Sequence, residues 1–125
     1  MLRIVRWIPA AIIVGISCSL SAMPTIEQMP SFFNADKVVH IICFGGLAFW
    51  IAFGTNGAGC NKWMKWAIPV ILTSAYGLFD EIHQSYTPGR TCSVYDWVAD
   101  VIGACLGSIA YIGVVNLFSK LRKKA

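Results

Sequence analysis

Six carboxylates, two histidines and one loop arginine are the side chains of this 125-residue chain best suited to chemistry, and most of them are grouped. Asp36-Lys37-Val38-Val39-His40 sets an acid and an imidazole four residues apart. Asp80-Glu81-Ile82-His83-Gln84 sets two adjacent acids beside an amide. Thr87-Pro88-Gly89-Arg90 is a turn carrying a cation, and Ser93 leads into Asp96-Trp97-Val98-Ala99-Asp100, again two acids four apart. Residues four apart share one face of a helix. Carboxylates beside an imidazole can move protons, or hold a cation such as Mg2+, Ca2+ or Mn2+. An arginine next to them can grip a phosphate or carboxylate. His40, Asp80, Glu81 and Asp100 are the candidates for such catalytic or ligating work. Glu27 stands apart and reads as a solvated loop charge.

Those groups must be positioned by elements that are overwhelmingly apolar. Hydrophobic residues make up 57% of the chain and charged residues only 13%, about half the share of an ordinary globular domain. A chain this short cannot bury that much apolar surface in one core, so lipid is the expected surrounding. Apolar runs extend from about Ile4 to Ala22, Val38 to Phe53, Trp66 to Ile82 and Trp97 to Phe118. Each approaches the ~20 residues that cross a ~30 Å hydrocarbon layer as a helix. The runs lack the alternation of barrel strands. Pro24, Pro30, the glycines between Gly54 and Gly59, and Pro88-Gly89 punctuate them. The reading is a single all-α domain, a four-helix integral membrane bundle over residues 1–125. The first run also has the outline of a signal peptide ending at Ser21-Ala22, but its apolar stretch is long for one, which favours a retained helix.

Lysine and arginine set the orientation. Arg3, Arg6, Lys62, Lys65, Lys120, Arg122, Lys123 and Lys124 fall on one side of a four-span bundle, leaving Lys37 and Arg90 on the other. The positive-inside rule then makes both termini cytoplasmic. The basic C-terminal run reads as an anchor on the anionic inner leaflet, not as a nucleic-acid contact. All six acids lie at the extracytoplasmic end. Asp100 and His40 sit roughly 5 Å inside their helices, where a carboxylate facing lipid alone is costly. The cheaper arrangement turns Asp36, His40, Asp80, Glu81, Gln84, Arg90, Ser93, Asp96 and Asp100 into one shared pocket open to the outer face. Asp36, Asp80, Glu81, Asp96 and Asp100 then oppose only Lys37 and Arg90, so either protons or a bound cation must supply the balance. Asp96, Asp100, Gly103 and Gly107 share one stripe, and small residues at that spacing let helices approach closely in lipid.

Plainer readings stand beside these. Ser93 and Asp96 fit a capping box. Asn34 or Asp36 can cap the second helix. His83 reads as a solvated interfacial side chain, and Arg90 can merely offset the acids. Trp7, Trp50, Trp63, Trp66 and Trp97 read as interface anchors. The cysteines Cys18, Cys43, Cys60, Cys92 and Cys105 have no zinc or disulfide spacing, and the Gly54–Gly59 loop lacks a P-loop lysine. Adjacent acids at the end of the third helix oppose the macrodipole, so capping does not account for Asp80 and Glu81.

The segment from Asp80 to Gly103 closely resembles the signature of the VanZ-like family: an acidic pair, Gln84, the turn Pro88-Gly89-Arg90, Ser93, and Asp96 opening the last helix. Asp36-Lys37-Val38-Val39-His40 is similar to the family's first motif. The resemblance covers roughly residues 36 to 107. It implies a small multi-span bacterial membrane protein of the cell envelope, from a family named for an association with low-level teicoplanin resistance. The family positions it assigns are Asp36, His40, Asp80, Glu81, Gln84, Arg90, Ser93, Asp96 and Asp100. At the place of Asp100 many relatives carry asparagine; the acid keeps the hydrogen-bonding face and adds charge.

Three functions fit these residues. The pocket can bind a lipid headgroup, a cell-wall precursor or a partner protein at the outer leaflet, with Arg90 on the phosphate. It can be a metal-assisted hydrolase or transferase acting on a lipid-linked phosphoester, with a divalent ion on Asp80, Glu81, Asp96 or Asp100 and His40 as acid or base. It can be a proton- or ion-coupled transporter, although no ionisable group continues through the cytoplasmic half of the helices.

Overall fold

The computed structural model describes residues 2–24, 33–55 and 61–124. Glu27, Pro30 and Cys60 lie outside them. The described chain is all-helical: α1 (Leu2–Val5), α2 (Ile8–Ser21), α3 (Ala35–Thr55), α4 (Lys62–Ser85) and α5 (Val94–Lys124), with no strand among the described residues.

The first apolar run is broken where Pro9 removes the N–H that would bond to the carbonyl of Val5. Arg6 and Trp7 form a turn there, and α2 starts with proline in its first turn, the helical position that tolerates it best. The other helices outrun their apolar cores. The α4 helix begins at Lys62 because the Asn61 side chain accepts the Met64 N–H at 2.9 Å, which satisfies an otherwise unpaired donor. It ends at Ser85, past Gln84, so both acids of the pair remain helical. The α3 and α5 helices likewise begin at Ala35 and Val94, ahead of their apolar stretches.

Two helices, α3 and α5, are long and apolar enough to cross a membrane by length and composition. The α2 helix is apolar but shorter. Large apolar side chains, among them Ile12, Ile42, Ile71, Leu106 and Ile109, point outward, whereas Asp80, Glu81, Gln84 and Asp100 are buried. The molecule thus inverts the usual soluble distribution, in which charged residues are almost never fully buried unless paired.

Close helix approach organises the interior. The α3 and α5 helices meet where Gly45 faces Gly103 and Gly107; a Cβ on Gly103 would lie 2.5 Å from the carbonyl oxygen of Ile41. Phe44, Leu47 and Ile51 of α3 pack with Ala10 of α2 in a small apolar core. Trp7 lies over Gly54, Trp50 packs edge-on to Phe49 and Phe53, and the Trp97 indole donates to the Ser74 carbonyl at 3.0 Å. Trp7 and Trp97 therefore join neighbouring elements, whereas these Trp50 contacts lie within α3; Trp63 is exposed.

The bonds Ser21–Asp80, His40–Asp100 and Ser93–Glu81 bring the C-terminal ends of α2 and α4 beside the N-terminal ends of α3 and α5. Successive long helices therefore alternate in direction. The acids gather at one end, and Arg6, Lys62, Lys65 and the basic end of α5 belong to the opposite helix ends.

Candidate functional site

The polar end has three connected tiers. At the rim, Lys37 Nζ lies 2.9 Å from Asp36 Oδ2 and 3.1 Å from Asp96 Oδ1. The bridge ties the first turn of α3 to the first turn of α5. Both partners keep some exposure, so it holds register more than it adds stability.

Below the rim, His40 Nδ1 is 2.7 Å from Asp100 Oδ1. The two lie one turn inside α3 and α5, on the faces those helices turn to each other. Gly77 of α4 makes room for this pair, since a Cβ there would come within 2.7 Å of Asp100 Oδ2. Glu81, one turn further along α4, accepts the Ser93 N–H on Oε2 at 2.8 Å. Glu81 is 1% exposed and Asp100 0%. The His40, Glu81 and Asp100 ligand-type atoms converge to within 4.8 Å of one another. The His40 ring also stacks on Phe44, with centroids 5.9 Å apart, which fixes its plane.

The third tier runs toward α2. Asp80 accepts from Ser21 Oγ at 2.6 Å and from Gln84 Nε2 at 3.0 Å. Gln84 Oε1 accepts from the Arg90 guanidinium at 3.1 Å. Thr87 Oγ1 donates to the Ser21 carbonyl at 3.0 Å, fastening the turn after α4 onto the end of α2. Gly89 adopts φ 81° in that turn, a left-handed conformation that glycine takes without strain.

The residues singled out by sequence are largely brought together: His40, Asp80, Glu81, Gln84, Arg90, Ser93, Asp96 and Asp100 all take part, with Asp36 at the exposed rim. Four details depart from, or were not given by, the spacing. Asp96 does not close a capping box with Ser93, because the Ser93 N–H is taken by Glu81 and the Asp96 carboxylate by Lys37. Arg90 is not paired with a carboxylate among the described residues; its partner is the Gln84 amide oxygen. Asp36 and His40 share a helix face but not a bond, since Asp36 takes Lys37 and His40 takes Asp100. His83 is half-buried and stacks on Phe79 instead of standing in solvent. Ser21 and Thr87 were missed. Ser21 is a small polar residue closing an apolar run, and nothing in its neighbourhood signals a partner 59 positions away.

A cavity of about 280 Å3 opens between α2 and α3. Ile16, Leu20 and Ile42 line its apolar length, and Asp80, Gln84, Arg90 and His40 line its polar end. Chemically, this end can pair a cation with the acids, pass a proton between His40 and Asp100, and offer Arg90 to an anion. Among the described residues His40 is hydrogen-bonded to Asp100 and to no serine, threonine or cysteine.

Comparison with known proteins gives one result: the model of the VanZ/LLP1 family matches residues 2–118. No curated protein and no solved structure matches the chain.

Proposed function

The chain belongs to the VanZ/LLP1 family, and we propose that it is a four-span membrane protein that binds an amphipathic lipid with a phosphate headgroup at the outer leaflet. The observation that carries this reading is the open cavity beside α2. Its walls are apolar along Ile16, Leu20 and Ile42, and its end carries Arg90, Gln84 and Asp80. A hydrocarbon chain would lie along the apolar length, and the headgroup would meet the Arg90 guanidinium, whose planar fork suits phosphate oxygens. Among the described residues Arg90 is held by a neutral amide and not by an acid, which leaves its charge open to an anion.

The outward apolar side chains support a bilayer surrounding, as do the two long apolar helices. The α4 helix, at 24 residues, is roughly 36 Å long and is penalised in hydropathy by Asp80 and Glu81. Those acids are buried against other helices, so they do not meet lipid. The basic ends of the helices favour a cytoplasmic placement of both termini. The acidic end then faces outward, where an impermeant thiol reagent should label the exposed Cys92 in intact cells.

The test is lipid binding by the protein in detergent, with a polyprenyl phosphate as probe and retained lipid read by native mass spectrometry. Arg90→Ala should weaken binding at least about tenfold, the loss of one charge-assisted contact. Ile16→Trp should weaken it by filling the cavity. Unchanged retention in both variants would contradict the proposal.

A further inference from the structure

We propose that His40, Glu81 and Asp100 form a binding site for one divalent cation. The inference rests on unsatisfied oxygens of the site, not on the lipid reading. Glu81 and Asp100 are both buried, and each has one oxygen engaged: Glu81 Oε2 by the Ser93 N–H, Asp100 Oδ1 by His40 Nδ1. The other oxygen of each, Glu81 Oε1 and Asp100 Oδ2, has no hydrogen-bond partner among the described residues. Buried polar atoms without partners are rare in folded proteins. Two of them, on converging carboxylates from different helices, mark a missing partner shared by both.

The cations nearby do not fill that role. Lys37 is held at the rim by Asp36 and Asp96, and Arg90 reaches Gln84. One ligand-type atom from each of His40, Glu81 and Asp100 lies within 4.8 Å of the other two. That spacing matches atoms on opposite sides of an ion at ligand distances of about 2.0–2.4 Å. Local supports fix the ligands, as outer-shell partners do in metal sites: Ser93 orients Glu81, the Phe44 ring faces the His40 ring, and Gly77 gives the Asp100 carboxylate its place. Two carboxylates and one imidazole suit a hard or borderline ion such as Mn2+ or Zn2+. Three protein ligands leave positions for water or for an oxygen of a bound molecule, and His40 also borders the cavity beside α2.

The test uses the full chain in detergent, stripped with a chelator and titrated with Mn2+, with free Mn2+ read by electron paramagnetic resonance. Zn2+ is titrated in parallel by calorimetry. One ion per chain is expected for the wild type. Glu81→Gln keeps an oxygen for the Ser93 N–H but removes the charge, and Asp100→Asn does the same on α5. Each should raise the Kd at least tenfold while circular dichroism shows unchanged helicity. Arg90→Ala should lose lipid and keep the ion, which separates this site from the lipid reading. Absence of a stoichiometric site for either ion in the wild type would overturn the proposal, as would equal affinity in folded Glu81→Gln; a buried water bridging the two oxygens would then be their partner.

Discussion

Gly107→Ala should destabilise the bundle by about 3 kcal/mol, at the upper end of overpacking costs, although the change adds one methyl group. A Cβ at Gly107 would collide with the carbonyl oxygen of Gly45 on the facing helix, an atom of backbone that no rotamer change can move. The helices must separate, and His40 must then leave Asp100, because both residues ride on this pair of helices. The effect should be graded. Gly103→Ala meets the Ile41 carbonyl at 2.5 Å and should also be severe; Gly45→Ala meets the Gly103 carbonyl at 3.2 Å and should be milder. Gly113→Ala meets nothing within 4 Å and should be neutral or stabilising by up to about 1 kcal/mol through helix propensity. Unfolding in mixed micelles, followed by circular dichroism, reads the series. A flat series would mean that α3 and α5 do not pack at this distance.

His40→Leu should cost up to about 3–5 kcal/mol, the range expected when a buried carboxylate loses its partner. Asp100 is wholly buried, and its contact with His40 is its only hydrogen bond among the described residues. The variant leaves a carboxylate that must be neutralised or expelled at the cost of local packing. The double variant His40→Leu, Asp100→Leu should recover much of the loss, since replacing a buried polar pair with apolar side chains is often neutral. Such recovery, measured in the same unfolding assay, would be the signature of direct coupling. Additive losses would mean that the residues act separately.

Much of the site was legible in the sequence because helix periodicity and span length together fix which end of each helix a residue occupies. Asp36 and His40 open one helix, Asp80 to Gln84 close the next, and Asp96 and Asp100 open the last, so alternation alone brings them to one end. The acid–glycine stripe of α5 was also legible as an inward face. Pairing across helices was not. Whether Asp100 meets His40 or Arg90 depends on rotation about helix axes, which is set by contacts such as Gly45 against Gly103 and Gly107. Spacing alone likewise could not show that Glu81 would turn to the Ser93 N–H and leave Asp96 to Lys37. Ser21 was hidden because an isolated hydroxyl in an apolar run carries no periodic signal. Helix limits were misjudged where local chemistry overrides hydropathy, at Pro9 and at the Asn61 cap.

The claim on which the rest depends is that ionisable groups from separate helices share one buried site. It is tested most directly by solid-state nuclear magnetic resonance of the protein in lipid bilayers, with 15N in the His40 ring and 13C in the Asp100 carboxyl group. The two residues are 60 positions apart in sequence, and their Nδ1 and Oδ1 atoms are separated by 2.7 Å. Strong dipolar dephasing between His40 Nδ1 and Asp100 Cγ is the expected result, and it should vanish in Gly107→Ala. Absence of measurable dephasing in the wild type would place the two groups apart and contradict the shared site.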